Sequence, residues 1–383
     1  MDIKWLSLTN FRNLKSGGEI ELPRGGLLVA AAPNATGKTN FLESVAVLLR
    51  GKSFRARIDE CVGWGKDSFI IQGEIERAGE KSSVVVRYYH PSRKMRIEED
   101  GVPASVVAFY SHYPFVLFLP EDTFLLSRGP AQRRNFLNHV LVCHPHYVAA
   151  LVQYHRALRQ RNAALKKSRS FNDVQAWTEI LVEQAETVWQ HRNNFVSFID
   201  SRLSNMYGRL SGESRMFEAE LVYGASRANG FMKELENSFS YERKLGYTTY
   251  GPHRDDVAIT TGGREAQAVL SRGQVRSLVI ALKVEAHSYM GQITKEEPLL
   301  LLDDVLSELD DRRREALLEN LPKTQTLLTC TSVPRALRAR DDVYLLDLRS
   351  VVSLGQAGKK EKAELNKKEL EVDGSSELSK VGE

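Results

Sequence analysis

Eight consecutive residues, Ala32-Pro33-Asn34-Ala35-Thr36-Gly37-Lys38-Thr39, stand between the apolar run Leu27 to Ala31 and a stretch of helical spacing that begins at Lys38. That is the context of a phosphate-binding loop. Backbone amides and a helix N-terminus surround the anion, Lys38 reaches the β and γ phosphates, and Thr39 places its hydroxyl on Mg²⁺. The pattern G-x-x-x-x-G-K-[ST] asks for glycine where Ala32 stands, and many such loops have another glycine where Ala35 stands. If either position needs φ above zero, alanine there costs on the order of 1 kcal/mol. The plainer alternative is an ordinary strand, turn and helix with a lysine at the helix start.

A second signal favours the phosphate loop. Leu299-Leu300-Leu301-Leu302-Asp303-Asp304 is an apolar strand ending in two carboxylates, where a nucleotide-bound Mg²⁺ and an attacking water need anionic partners. Asp303 would hold the metal, through water, and Asp304 would orient or deprotonate the attacking water. A buried strand leaving the core through a polar turn explains one acid more easily than two. Between the two signals lies Leu270-Ser271-Arg272-Gly273-Gln274, directly before a helix. Its serine and glycine could offer a hydroxyl and amides to a phosphate on a partner's nucleotide, although helix capping by Ser271 explains the pentapeptide on its own.

The elements that must position these residues follow from periodicity. Ile3 to Phe11 and Leu27 to Ala31 are predicted as strands, Lys38 to Leu49 as a helix, and Ser68 to Glu76, Ser82 to Tyr89 and Lys94 to Glu98 as strands closed by the Asp100-Gly101 turn. The middle changes to helical spacing, from His144 to about Lys166 and from Asp173 to Met206, two long helices joined near Ser168 to Asn172. The last third alternates again: a helix from about Gly273 to Tyr289, a strand Leu299 to Leu302, a helix from Asp310 to Asn320, and a strand near Gln325 to Cys330. After Leu354 the sequence is rich in Lys, Glu, Gly and Ser and reads as a mobile tail.

Composition narrows the class. The chain has 383 residues, 42% hydrophobic and 27% charged, which excludes collagen-like and disordered classes and suggests two or three domains. Cys61, Cys143 and Cys330 lie far apart with no CxxC spacing, so neither a zinc site nor a disulfide set is indicated, and they are expected as buried small hydrophobes. The apolar stretch from Val106 to Leu119 is interrupted and too short to cross a bilayer, and the N-terminus does not read as a signal peptide, so a cytoplasmic protein without a membrane partner is expected. The net charge is only +4. It is unevenly spread. Arg156, Arg159, Arg161, Lys166, Lys167 and Arg169 put six cations within fourteen residues without one acid. Such a stripe would contact phosphates without reading sequence, while a solvated helix face is the usual meaning of a charge run.

With the three elements in this order, the sequence resembles the ABC-type ATPases, and more closely the RecF family of bacterial DNA replication and repair proteins. The residues that narrow it are Phe11-Arg12-Asn13-Leu14, Gly51-Lys52-Ser53-Phe54-Arg55, Pro120-Glu121-Asp122 and Gly129-Pro130-x-x-Arg133-Arg134. To these add Tyr154-x-Arg156-Ala157-Leu158-x-x-Arg161-Asn162, Gly251-Pro252-His253-Arg254-Asp255-Asp256, and Leu301-Leu302-Asp303-Asp304-Val305-Leu306-Ser307-Glu308-Leu309-Asp310. The resemblance implies an α/β, ABC-type P-loop ATPase head with a mixed sheet, split over residues 1–122 and 246–350, an inserted α-helical arm over 123–245, and a charged tail over 354–383. It implies ATP and Mg²⁺ as cofactors. Ala32, Pro33, Asn34, Ala35, Thr36, Gly37, Lys38, Thr39 and Asn40 would surround the nucleotide with Arg12 near it. Thr39 and Asp303 would take the metal, and Lys38, Asp303 and Asp304 would serve hydrolysis. Ser271, Gly273 and Gln274 would form the signature loop acting in trans, and Asp310 belongs to the D-loop. Asp304 stands where most ABC ATPases have glutamate, consistent with slow hydrolysis serving as a timer.

The implied function is an ATP-gated, dimerising DNA-binding mediator, associated with the nucleoid, that acts at single-strand gaps and stalled forks. The resemblance implies that it works with RecO and RecR, promotes RecA loading and SOS induction, and hydrolyses ATP slowly with stimulation by DNA. The six basic residues of the arm would be its DNA contacts. A structural scaffold of the same fold that binds ATP weakly or does not hydrolyse it, motivated by Ala32, is the alternative. A transporter subunit is disfavoured, because a basic helical insertion replaces the usual membrane-coupling subdomain.

Overall fold

A computed structural model of the chain describes residues 1–14, 18–104, 109, 111–226, 230–338 and 340–348. The expected tail over 354–383 lies outside them, as does part of the apolar stretch that begins at Val106. By spatial contacts the chain forms two compact units. One comprises Met1–Ala104, Leu299–Ser307 and the chain from Lys323 onward; the other comprises Ser105–Pro298 and Glu308–Pro322.

The first unit opens with β1 (Asp2–Thr9), β2 (Glu19–Glu21) and β3 (Leu27–Ala31), followed by helix α1 (Lys38–Arg50). Strands β4 (Ser68–Arg77), β5 (Glu80–Tyr89), β6 (Lys94–Glu99) and β7 (Val102–Pro103) complete a six-stranded antiparallel sheet in the order β2-β1-β4-β5-β6-β7. Two of its hairpins close on two-residue turns with positive φ at both positions, Ala78-Gly79 and Asp100-Gly101. Such turns match the right-handed strand twist. The Asp100-Gly101 turn stands as the sequence predicts, and β5 starts two residues before its predicted beginning because Ala78 takes a left-handed conformation that its composition does not advertise.

The second unit begins with strand β8 (Phe115–Phe118), all four residues buried, and continues with helices α2 (Pro130–Leu141), α3 (Pro145–Leu165), α4 (Asn172–Asp200) and α5 (Leu203–Ser211). Strand β9 (Glu218–Val222), helix α6 (Phe231–Leu245), strands β10 (Asp256–Thr261) and β11 (Arg264–Glu265) and helix α7 (Arg272–Thr294) follow. The strands form a small antiparallel sheet, β11-β10-β9. Tyr154 and Ala157 of α3 pack with Leu181, Ala185 and Trp189 of α4, so the two predicted long helices do form a packed pair. The second is not continuous to Met206. It ends at Asp200, whose carboxylate accepts the Ala219 N–H at 2.7 Å, and Arg202 turns its guanidinium onto the buried Glu285 at 2.7 Å. Those polar attachments break a pattern that apolar spacing alone would extend.

Strand β12 (Leu299–Asp303), helix α8 (Asp311–Asn320), strand β13 (Thr326–Cys330) and strand β14 (Val343–Leu346) close the described chain. In the first unit β14, β3, β13 and β12 lie in that order, all parallel. Their near-continuous apolar sequences are what a strand buried on both faces requires. Cys61, Cys143 and Cys330 are all buried and none is in a disulfide. Among the described residues no helix is long and apolar enough to cross a membrane.

One basic residue of the expected stripe is misplaced by sequence. Arg161 is fully buried and pairs with the equally buried Glu242 at 2.7 Å, with Thr178 and Thr248 as further acceptors at 2.9 and 2.7 Å. It holds α3, α4 and α6 together and does not face a phosphate backbone. Removing one partner of such a pair strands a buried charge, at about 3–5 kcal/mol, whereas replacing both by apolar groups is far milder. Glu242→Met is therefore expected to lower the urea unfolding free energy by about that amount and Arg161→Met/Glu242→Met to recover most of it; equal losses in both variants would contradict this.

Candidate nucleotide site

The residues between β3 and α1 form the loop anticipated from sequence. Lys38 is buried and its Nζ donates to the Ala32 carbonyl at 2.6 Å and to Asn34 Oδ1 at 3.3 Å, spanning the loop from one side to the other. Thr36 Oγ1 donates to the Pro33 carbonyl at 2.8 Å. Gly37 has φ of 105°, and a Cβ there would stand 2.9 Å from Asn13 Oδ1, so both conformation and space demand glycine. The alanines divide differently from expectation. Ala32 is not among the residues with positive φ; its N–H simply continues the strand by donating to the Cys330 carbonyl at 3.2 Å. The left-handed residue is Ala35, with φ of 65°. Any alanine strain in this loop sits there.

Thr39, on the first turn of α1, donates through Oγ1 to Asp303 Oδ2 at 2.8 Å, and Thr329 on β13 donates to Asp303 Oδ1 at 2.6 Å. Burial raises the Asp303 carboxyl above its ordinary value, and the two hydroxyls oppose that rise. Asp304 follows in a left-handed conformation, φ 49°, fixed by its N–H donating to both the carbonyl and the hydroxyl of Thr329 at 3.1 Å. Its carboxylate is half-buried and accepts from Ser307 Oγ. The two acids thus differ: one is locked beside the loop threonine and the other is turned outward. A hydroxyl and a carboxylate in mutual contact beside a helix N-terminus are a hard-oxygen donor set that suits Mg²⁺. Among the described residues no group of three or more His, Cys, Asp and Glu could hold a metal alone.

Sequence reasoning missed the group at the centre of this site, Glu43 on α1. Its carboxylate receives Arg12 Nε and Nη2 at 3.0 and 2.8 Å, Arg55 Nη2 at 2.8 Å and Ser53 Oγ at 2.6 Å. Burial alone would push the carboxyl up, but the hydrogen bonds from Arg12, Arg55 and Ser53 outweigh it and hold the group down at about 2. The same environment pushes the neighbouring Cys61 thiol up to about 12, chiefly through burial. Asn40 Nδ2 donates to Asn13 Oδ1 at 2.5 Å and Asn13 Nδ2 to the Thr36 carbonyl at 3.4 Å, so the segments around Arg12 and Arg55 are tied to the loop itself. Its place in sequence, beside Ser44 in the run Phe41-Leu42-Glu43-Ser44-Val45, reads as an ordinary polar position of a helix and gave no signal.

In the second unit Ser271 is exposed and caps α7: its Oγ accepts the Gln274 N–H at 3.4 Å and Gln274 Oε1 accepts the Ser271 N–H at 2.9 Å. The capping explanation therefore holds and leaves the serine at the surface. Gln274 Nε2 donates to Glu213 at 2.7 Å. Arg313 links the segment to Asp310: its Nε donates to Ser277 at 3.1 Å, its guanidinium pairs with Asp310, and it leaves 3.1 Å to a Cβ at Gly273. The Gly251 to Asp256 segment is anchored by buried polar contacts. Asp255 is fully buried and accepts from Arg192, Trp189 and the Gly224 N–H at 2.7, 3.0 and 2.7 Å. His253 bridges Tyr154 and the Thr248 carbonyl, and burial lowers it to about 4. Of the arm cations, Arg156, Arg159, Lys166, Lys167 and Arg169 are exposed and Arg161 is not.

The parallel strands, the phosphate-type loop, and the carboxylate pair at the end of β12 define an ABC-type ATPase. No protein-family model matches the chain. It is 33% identical to the DNA replication and repair protein RecF of Moorella thermoacetica over 342 residues, 87% of this chain and 90% of the relative. It is likewise 33% identical to RecF of Geobacter sp. strain M21 over 341 residues, covering 86% and 92%. The chain belongs to the RecF family of DNA replication and repair proteins. A solved structure of the recombination mediator protein RecF with ATP, in the RecFOR pathway, superposes with a TM-score of 0.81 at 28% identity, over 90% of this chain and 95% of that one. An Smc head bound to the C-terminal winged-helix domain of ScpA shares the fold, with a TM-score of 0.52 and 14% identity over 92% of this chain and 95% of that one.

Two outcomes follow from the loop and from Glu43. Ala35→Gly is expected to raise the unfolding free energy by up to about 1 kcal/mol by relieving the left-handed alanine, and Ala32→Gly to lower it by about the same amount; the same sign for both in urea unfolding would refute this. Glu43 has a folded value below its unfolded value of 4.5, so its contribution is complete above pH 4.5 and fades as pH falls towards 2. It amounts to on the order of 3 kcal/mol. Glu43→Gln should flatten the acid side of the stability profile by that order, and parallel profiles for variant and parent would refute it.

Proposed function

We propose that this protein is an ATP-dependent, DNA-binding recombination and repair mediator that acts at single-strand gaps and stalled replication forks. It works with RecR and RecO to promote RecA loading and SOS induction, in the cytoplasm at the nucleoid. Its functional head would comprise 1–122 and 246–350 and its arm 123–245. The observation that carries this is the contact of Thr39 with Asp303 beside Asp304. It brings a phosphate loop and a carboxylate pair into one site. The RecF structures solved with ATP and with ATPγS support ATP as the ligand.

Each residue then has a task. The N-terminus of α1, with Gly37 and Lys38, binds and neutralises the phosphates. Thr39 and Asp303 would hold Mg²⁺, whose charge offsets that of the phosphates. Asp304, turned outward with a half-exposed carboxylate, orients an attacking water and takes its proton. Ser271 and Arg272 are exposed at the N-terminus of α7, which would offer a second anion site to the nucleotide of a partner copy and make ATP the link between two chains. That Ala32 carries no left-handed strain speaks against the scaffold alternative, which rests on that residue. The five exposed arm cations would bind DNA phosphates.

Sedimentation of the full chain with and without ATP tests the mechanism. A monomer-to-dimer shift that needs ATP and is lost in Lys38→Ala is expected; no ATP binding and no shift in the parent chain would leave only the scaffold reading. On duplex DNA, Arg156→Gln/Arg159→Gln should reduce the slope of log affinity against log salt by about 2. An unchanged slope would remove the arm from the DNA interface.

A further inference from the structure

The first unit carries a surface that the ATPase mechanism does not use. On the outward face of the six-stranded sheet, the buried side chains of Phe69, Ile71, Val86, Tyr88 and Ile97 point inward, so Tyr89, Lys94, Arg87 and Arg96 point away from the core. Tyr89 is the register partner of both Ser68 and Lys94, and Arg87 is the partner of both Ile70 and Arg96. No acid stands in either row. Two arginines placed directly opposite each other repel. Glu98, one row further along, pairs with Arg87 at 2.6 Å. The other acids of the same face lie away from this end: Glu74 and Glu76 on β4, paired with Lys81 at 2.7 Å and Lys4 at 2.8 Å, and Glu19 and Glu21 on β2.

Two exposed aromatic residues belong to the segments at this cationic end. Trp64, in the loop just before β4, is 89% exposed, and Tyr89 at the end of β5 is 51% exposed. The His90 N–H donates to the Asp67 carbonyl at 2.7 Å, which ties the Trp64 loop to the turn that follows Tyr89. That turn adds the exposed Arg93. A single exposed aromatic means little. Two of them beside three surface cations, with Asp67 the one exposed acid between, match the chemistry of single-stranded nucleic acid: π-faces for unpaired bases and charges for the backbone between them. A duplex hides its base faces and would leave the rings idle.

We propose that this end of the sheet, Trp64 and Tyr89 with Arg93, Lys94 and Arg96, binds single-stranded DNA by stacking bases on the two rings. The surface is separate from the basic arm, and the proposal rests on the DNA-mediator reading only for the kind of polymer involved. The test measures anisotropy of labelled oligothymidine and of a labelled duplex with the full chain. The variants are Trp64→Ala/Tyr89→Ala, Lys94→Gln/Arg96→Gln and the arm pair Arg156→Gln/Arg159→Gln. The aromatic double variant should weaken oligothymidine binding about tenfold or more while leaving the duplex within about twofold. The cation double variant should lower the single-strand salt slope by about 1.4. Quenching of intrinsic fluorescence by oligothymidine should shrink in Trp64→Phe while affinity is retained.

Oligothymidine binding that survives the aromatic changes but falls with the arm pair would overturn this surface and leave the DNA function intact. Equal weakening on both DNAs would reduce it to a phosphate contact and overturn stacking. If the parent chain binds neither DNA, both proposals fall. If the aromatic variant instead loses only a protein partner, the surface is a protein-docking site and the proposal is wrong.

Discussion

A hydroxyl on Thr39 donating to a carboxylate on Asp303, 264 positions along the chain, is the contact on which the first unit depends. For it to form, β3 and β12 must lie in one parallel sheet with their C-terminal ends together. The order β14-β3-β13-β12 achieves this by inserting β13 between them, and β13 brings Thr329 to bond Asp303 and to fix the backbone of Asp304. Parallel strands need long crossovers. The chain leaves the first unit after Ala104 and returns at Leu299, and all of the second unit except Glu308–Pro322 is built within that one excursion. The division of the unit into chain-distant pieces is thus the geometric condition for its acid and its loop to meet.

What could be read from sequence was whatever is local. The loop before α1, the apolar β12 and β13, and the capping serine of α7 each depend on a few adjacent residues. Chemistry that depends on distant partners was not legible. Arg161 looks like its neighbours in a basic run, and only Glu242, 81 positions on, makes it a buried ion. Glu43 looks like the polar edge of a helix until Arg12, Ser53 and Arg55 arrive from both sides. The break after Asp200 is likewise set by Ala219 and Glu285 rather than by a helix-breaking residue. The alanines show a subtler limit: a motif names the glycines that many loops have, but only backbone angles say which of them carries a left-handed turn.

The buried polar groups also divide between the units in kind. In the first, Glu43 and Asp303 take part in contacts around the loop, while Gln325 holds the Ile3 and Pro23 backbone elsewhere. In the second they sit inside the helical packing: Arg161 with Glu242, and Arg192 with Asp255, whose other oxygen holds Trp189 and the Gly224 N–H. A helix pair packed by apolar residues alone can slide by a turn at little cost. A buried ion with a single set of partners cannot, so Arg161 with Glu242 and Thr178 fixes α3 against α4 and α6, while Arg192 with Asp255 fixes α4 against the turn before β10.

The left-handed turn at Asp304 has a consequence for the identity of the acid. Aspartate and asparagine are several-fold enriched at such angles, and longer side chains are not. Glutamate at this position would gain a methylene of reach and would have to bear about 1 kcal/mol of backbone strain to do so. The shorter carboxylate thus suits the left-handed backbone better by about that amount and gives up a methylene of reach in exchange.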